Sequence, residues 1–346
     1  MPYIDSIRPL SLPTKTDNTL SAAAIKAAAA AVGFDACGIS AAAPMDPAHA
    51  ERIRQWVAQG NHASMDYLTK HMDKRLDPRL LMEGAQTIVS VALNYYNEWP
   101  DATDGDAEPI HGEPAANRPM AADGPARYAF ARYARGRDYH DVVRERLMAM
   151  MQRLGLVPFV DGRPCCDTAP IDERYWAARS GLGWCGRNGQ LIIPGAGSYF
   201  FLGELVLNRP VDRVDAPIAP RCGTCRRCLD ACPTAALAGD GTLDARRCLS
   251  FLTIEHRGDL PDGTAHAMGR CVYGCDRCAD VCPWNSHARP TAVADFHPSP
   301  ALAAMTPTDW QTLTIDAYRR LFKGSAVKRA KYDGLMRNIR AVAEGE

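Results

Sequence analysis

Four of the chain's thirteen cysteines fall within eleven positions, as Cys222-x2-Cys225-x2-Cys228-x3-Cys232, with Pro233 directly after. No other stretch limits the chain so strongly. A cubane iron–sulfur cluster needs thiolates at the corners of a small cube, and two-residue gaps let one turning loop supply three of them. A fourth cysteine followed by proline is carried away from that loop, and in two-cluster ferredoxins it ligates the other cluster. The run therefore predicts a second group. The chain supplies Cys248, Cys271, Cys275, Cys278 and Cys282, with Pro283 after the last. Cys222, Cys225, Cys228 and Cys282 are expected to hold one 4Fe–4S cluster. Cys232, Cys248, Cys275 and Cys278 are expected to hold the other. Cys271 reads as a spare thiol, because the C-x2-C at 275–278 matches the first run better; replacement of Cys275 by Cys271 is the alternative.

Zinc and disulfides are the blander readings. Zinc sites favour paired C-x2-C knuckles rather than a triple run ending in C-P. Disulfides belong to oxidising compartments. The opening "MPYIDSIRPL" has neither a basic n-region nor an apolar h-region, so a cytoplasmic location is expected. No apolar stretch approaches a membrane span, so no membrane partner is expected either.

The 346 residues suffice for two or three domains, and 47% of them are hydrophobic, enough for a large core. Forty basic and forty acidic residues balance. The whole chain is thus no electrostatic magnet for nucleic acid. Residues 317–340, however, carry eight Lys/Arg against one Asp, with Tyr318, Phe322 and Tyr332 interleaved. That is a basic footprint suited to RNA, set against the ordinary reading of a solvated helix face.

Helices are expected over 20–32, 48–59, 138–153 and 169–181, the last with Pro170 in its first turn. Val143, Leu147, Met150, Met151 and Leu154 form a helical stripe that reads as core. Strands are expected at 87–96, 156–161, "QLIIP" and "SYFFLGELVLN". Residues 97–126, with five prolines, three glycines and seven acidic residues, read as a flexible insertion. The punctuation at 216–220 separates this α/β body from the cluster region.

The body must use the electrons that two clusters would carry. "CCDTAPIDE" places Asp167 between a predicted strand and a predicted helix, where ligands commonly bind. Residues 180–204 hold seven glycines, which let backbone approach a large ligand closely. The segment is not a G-x-G-x-x-G followed by a helix and lacks the G-K-[ST] of a phosphate loop.

The motifs "DTAPIDERYWAARSGLGWCGRN", "GSYFFLGEL", "CGTCRRCLDACPTAAL", "LDARRCLSFLTIEHRG", "VYGCDRCADVCPWN" and "FKGSAVKRAKYDGLMRN", in this order, resemble the epoxyqueuosine reductase family. The resemblance runs from about residue 20 to about residue 340. It implies an α+β chain with three parts. Residues 1–215 would form a nitroreductase-like α/β domain that binds cobalamin, with 97–126 as its insertion. Residues 216–290 would form a bacterial ferredoxin-like domain holding both clusters. Residues 291–346 would form a short, helical, basic tail touching tRNA.

The resemblance also implies the chemistry: epoxyqueuosine at the tRNA wobble position is reduced to queuosine by cob(I)alamin fed by the clusters. Asp167 matches the family's proton donor. A helix N-terminus beside it would favour the carboxylate, so burial would have to raise its pKa. Asn188, Leu191, Ser198, Tyr199 and Phe201 match the family's cobalamin-contact segment. Tyr67, Ser250, His256, Cys275, Asp276 and Arg277 are further cofactor-side candidates, with Asp167 itself. "DYHDVV" has Val143 where a histidine-ligated corrinoid motif needs glycine. His140 therefore reads as a structural or substrate-side residue, with Asp138 and Tyr139 at the RNA entrance. Cys166 reads as a buried small hydrophobe. Lys323, Lys328, Arg329, Lys331 and Arg337 are the candidate phosphate contacts. The expected partners are epoxyqueuosine-bearing tRNA and an external low-potential electron donor, and the expected state is a monomer. Competing readings are a corrinoid reductive dehalogenase, a two-cluster electron-transfer protein, and an RNA-binding protein with structural clusters.

Overall fold

The computed structural model describes residues 18–99 and 128–345. Its helices are α1 (Ala22–Ala31), α2 (Pro47–Ala58), α3 (Met72–Leu76), α4 (Tyr139–Arg153), α5 (Glu173–Arg179), α6 (Arg227–Asp230), α7 (Leu249–Ile254), α8 (Thr264–Met268), α9 (Arg277–Asp280), α10 (Pro300–Ala303), α11 (Pro307–Gln311), α12 (Ile315–Leu321) and α13 (Lys331–Gly345). Its strands are β1 (Ala36–Ala41), β2 (Thr87–Asn94), β3 (Ala129–Phe130), β4 (Gly162–Cys165), β5 (Trp184–Cys185), β6 (Leu191–Ile192), β7 (Phe200–Leu207) and β8 (Cys271–Tyr273).

The body is a four-stranded antiparallel sheet in the order β1-β2-β7-β4. Both of its faces are covered, so β2 reads as a nearly unbroken apolar run. Alternation still divides that run between the faces. Val89, Val91 and Leu93 join α1 and α4 in one core, while Ile88 and Ala92 face α5. The α4 stripe of Val143, Leu147, Met150 and Met151 is fully buried. Helix α1 brings alanines close to its neighbours, as its composition predicts. At Gly203 on β7 an added Cβ would meet Val143 Cγ1 at 2.8 Å, so α4 lies on the strand only because that position lacks a side chain.

Three expectations need correction. The stretch 156–161 is not a strand. Asp161 accepts a hydrogen bond from the Val157 N–H at 2.8 Å, closing a turn, and Phe159 takes φ +63. The strand begins only at Gly162. Helix α5 starts at Glu173, capped by Asp172, whose carboxylate accepts from the Tyr175 N–H. Pro170 therefore lies before the helix, not in its first turn. The third correction concerns the C-terminal segment. Trp310, Phe322 and Ile339 are almost wholly buried, in one core with Phe130, Leu252 and Tyr273. Residues 291–345 complete the cluster-bearing half rather than trail from it. Within the expected insertion, residues 100–126 lie outside the described residues. Asn97, at its start, is buried and donates to the carbonyls of Tyr95, Arg132 and Phe296.

The two halves share chain. Strand β3, from the middle of the sequence, pairs in parallel with β8 beside the second cysteine group.

Candidate active site and cluster ligands

Strand β4 ends at Cys165, and Asp167 follows in a left-handed conformation with φ +53. Few non-glycine residues adopt it, though Asp does so more readily than most. Several contacts hold it. The Asp167 N–H donates to Glu173 Oε1 at 2.5 Å. Asp167 Oδ2 accepts from the Tyr139 hydroxyl at 2.7 Å and lies 3.0 Å from His140 Nε2. His140 Nδ1 in turn lies 2.7 Å from Asp138 Oδ1. Asp138 is also the N-cap of α4, so the residue that starts the helix orients the imidazole. The Tyr139 ring stacks on Phe201 at 4.3 Å with a 3° interplanar angle.

An imidazole with a carboxylate at each nitrogen donates at both and is the cation. Burial pulls the His140 pKa down, but the bonds to Asp138 and Asp167 outweigh it and raise it to about 9. For Asp167, desolvation pushes upward, yet the bonds from His140 and Tyr139 prevail and hold it below the usual carboxylate range. The expected conflict with a helix N-terminus is therefore not what governs Asp167. The proton of the pair rests on His140. Behind it, burial and the nearby charge of Asp167 push Glu173 up to about 8. Glu204, on β7, is fully buried, accepts no protein hydrogen bond at either oxygen, and is raised well above its ordinary value by desolvation.

The rim draws on distant parts of the chain. Tyr67 is 46% exposed, and the Arg329 guanidinium sits 5.3 Å from its ring centroid while pairing with Glu255 at 2.7 Å. Arg75 and Arg174 act electrostatically on Asp167 from α3 and α5.

Asn188, Leu191, Ser198, Tyr199 and Phe201 are all buried. Asn188 donates to the Cys278 carbonyl at 3.2 Å, and Ser198 N–H donates to Asn285 Oδ1 at 2.6 Å. Tyr199 donates to Asp280 at 2.6 Å. They join the body to the second cysteine loop. Gly197, at φ +91, makes room there, since a Cβ would stand 2.3 Å from Asn285 Oδ1. His256 closes a turn onto the Asp259 carbonyl, and Arg277 donates to the carbonyls of Ala267 and Met268. The Ser250 N–H points at the Cys248 thiol. Asp276 accepts from the Arg132 N–H at 2.8 Å, and Arg132 also pairs with Asp280 at 2.6 Å.

The cysteines assemble as two neighbourhoods. Burial raises the Cys228 thiol, and Cys222 and Cys225 act on it; Cys282 is likewise raised, with Cys222, Cys228 and Cys225 as its charged neighbours. Cys248 feels Cys275 and Cys232, and Cys278 feels Cys275 and Cys248. Members of each expected ligand set thus lie close enough to act on one another, and Cys228 also acts on Cys278 across the two sets. Among the described residues no three His, Cys, Asp or Glu side chains form a site for a single metal ion. Cys271 hydrogen-bonds Cys275. Cys166 is buried.

Of the basic residues, Lys323, Lys328, Arg329 and Lys331 are exposed. Arg337 is not available in the same way: it donates to the carbonyls of Leu252, His256 and Gly258. Tyr318 and Phe322 are buried and cannot stack on bases. The sequence reading missed Arg75, Arg174, Glu173 and Glu204 and did not place His140 on Asp167. The Asp138-x-His140 spacing was the one available sign. A cleft of about 520 Å³ lined by Leu81, Phe159, Val160 and Arg163 lies at the opposite end of β4 and contains none of these groups.

A sheet-based body carrying an acid–imidazole pair, joined to a segment with doubled ferredoxin-type cysteine spacing, fits an iron–sulfur oxidoreductase. Residues 221–285 match the family model for a 4Fe-4S double cluster binding domain, and residues 75–168 match that for epoxyqueuosine reductase QueG, DUF1730. The chain is 41% identical to the epoxyqueuosine reductase of Leadbetterella byssophila, over 92% of this chain and 97% of that protein. It is 36% identical to that of Pseudomonas aeruginosa, over 89% and 81%. Its fold is similar to an epoxyqueuosine reductase crystallised with a tRNA-Tyr epoxyqueuosine-modified stem loop, with a TM-score of 0.80, 30% identity and coverage of 93% of this chain and 80% of that one. The chain belongs to the epoxyqueuosine reductase family.

Proposed function

We propose that this protein reduces epoxyqueuosine to queuosine at the wobble position of tRNA, with cobalamin and two 4Fe–4S clusters as cofactors. When bound, cobalamin would supply a strongly reducing cobalt, and the two clusters would supply one-electron carriers. The chain's own residues supply position and protons. Cys222, Cys225, Cys228 and Cys282 would hold one cluster, and Cys232, Cys248, Cys275 and Cys278 the other. Removing an epoxide oxygen to leave an alkene consumes two electrons and two protons and releases water. The leaving oxygen needs an acid within hydrogen-bond reach. Asp167 is that acid in our reading, and His140 reloads it across their 3.0 Å contact. Tyr139 steadies the same oxygen of Asp167. Exposed Lys323, Lys328, Arg329 and Lys331 would meet tRNA phosphates. The nitroreductase-like body would hold the corrin, and the enzyme would work in the cytoplasm with an external low-potential donor.

The observation that carries this reading is the Asp138–His140–Asp167 chain in a protein whose relatives span nearly its whole length. The test is direct. Anaerobic protein, cobalamin, a low-potential reductant and epoxyqueuosine-containing tRNA should yield queuosine on nucleoside analysis. Asp167→Asn should abolish turnover while cobalamin still binds. Full activity in that variant removes Asp167 from the mechanism, and absence of queuosine with the wild-type protein removes the function.

A further inference from the structure

Arg75 is an unpaired cation within electrostatic reach of Asp167. It lies on the short helix α3, just after His71, which takes φ +53. Its side chain is half-buried. Its Nε is closed off from solvent and has no hydrogen-bond acceptor in the protein. Burial lowers its pKa, while Asp172, Asp167, Tyr67 and Glu173 act on it electrostatically. None of those acids forms an ion pair with it. Asp172 is engaged by His49 at 3.2 Å and by the Tyr175 N–H. Asp167 is engaged by His140 and Tyr139. Glu173 accepts from the Asp167 N–H, and burial favours its neutral form. Half-burying a guanidinium without an acceptor is costly, and its two terminal nitrogens, which are not closed off, are the ones an anion arriving from outside would meet.

We infer that Arg75 binds a phosphodiester group on the exposed side of Asp167. Its planar fork matches two phosphate oxygens at once. The inference rests on the function proposed above, because it takes the anion from that reaction's own participants. An RNA anticodon loop and the nucleotide loop of cobalamin both carry phosphodiesters.

The experiment uses anaerobic, iron-loaded wild-type protein, Arg75→Gln and Arg75→Lys. Three probes are titrated: an unmodified tRNA anticodon stem loop, cobalamin, and cobinamide, a corrinoid without the nucleotide loop. With an RNA phosphate as ligand, Arg75→Gln weakens stem-loop binding about tenfold to a hundredfold. The slope of log affinity against log salt then falls by about one, and cobalamin uptake is unchanged. With the cofactor phosphate as ligand, Arg75→Gln weakens cobalamin but not cobinamide. Arg75→Lys, which keeps charge but loses the fork, falls between in either case. Should Arg75→Gln fail to fold, an Arg75→Lys variant indistinguishable from wild type overturns the inference. So does an Arg75→Gln protein that binds all three probes as wild type does, or one that loses cobalamin and cobinamide alike. Wild-type protein that binds neither RNA nor cobalamin overturns the proposed function as well, which separates the two failures.

Discussion

His140→Gln separates charge from shape at the acid. Gln fills similar space and can donate to Asp167, but it cannot carry a transferable proton. The rise of His140 from 6.5 to about 9 corresponds to about 3.4 kcal/mol before screening. The Asp167 side chain is 57% exposed, so solvent weakens its share, and about 1–2 kcal/mol is the expected loss in the variant. The sign follows from linkage. A group whose pKa is raised on folding contributes its full stability below its unfolded value, here 6.5, and loses it as pH climbs through about 9. Anaerobic denaturant titrations should show wild type and variant separated most near pH 6 and converging above pH 9. Turnover should follow the same proton. Single-turnover conversion by wild type should fall above about pH 9. In His140→Gln it should drop roughly a hundredfold at neutral pH and recover toward acid pH, as Asp167 takes its proton directly from solvent. A variant with an unchanged alkaline limb and near-normal turnover would refute the reasoning.

Two structural claims are open to similar tests. Arg132→Met leaves Asp276 and Asp280 without their buried cation and should cost about 3–5 kcal/mol in an anaerobic denaturation midpoint; an unmoved midpoint would mean that the pair holds nothing together. Arg337→Ala strands three backbone carbonyls and should cost about 1–3 kcal/mol, with RNA affinity and its salt slope unchanged; loss of RNA affinity at full stability would return Arg337 to the phosphate contacts.

Much of the fold was legible where one local rule dominated. Strand β2 follows its apolar, β-branched composition, helix α4 follows its periodicity, and the cysteine spacing marks the double-cluster segment that the family model also matches. Legibility failed where tertiary context decides. "LVPFVD" has strand composition, but the Asp161 side chain turns it onto its own backbone. Strand β1, "ACGISA", was missed because its small residues merge with the alanine-rich helix before it. Gly38 there is needed because a Cβ would come within 2.0 Å of the Ser180 carbonyl oxygen, a contact between residues far apart in sequence. The basic segment misled in another way. Charge counts do not reveal that Arg337 is spent on carbonyls or that Tyr318 and Phe322 are core.

The site was half legible for a related reason. Asp167 stands in a recognisable motif, but its protonation depends on α4, which the motif does not contain. The stretch from Arg132 to His140 closes that gap. At one end, Arg132 grips Asp276 and Asp280, which flank Cys278 in sequence. At the other, Asp138 and His140 set the charge on Asp167. Between them, Arg137 donates its N–H to the Asp295 carbonyl and Asp138 donates its own to Gly324, pinning the stretch to the C-terminal segment. One short run of chain thus ties the second cysteine loop to the Asp167 carboxylate. The proposed reaction, which breaks both carbon–oxygen bonds of the epoxide with two electrons and two protons, would draw on both ends of that run. The Asp295 and Gly324 acceptors both belong to the C-terminal segment, whose buried aromatics pack it into the same core as Phe130 and Tyr273.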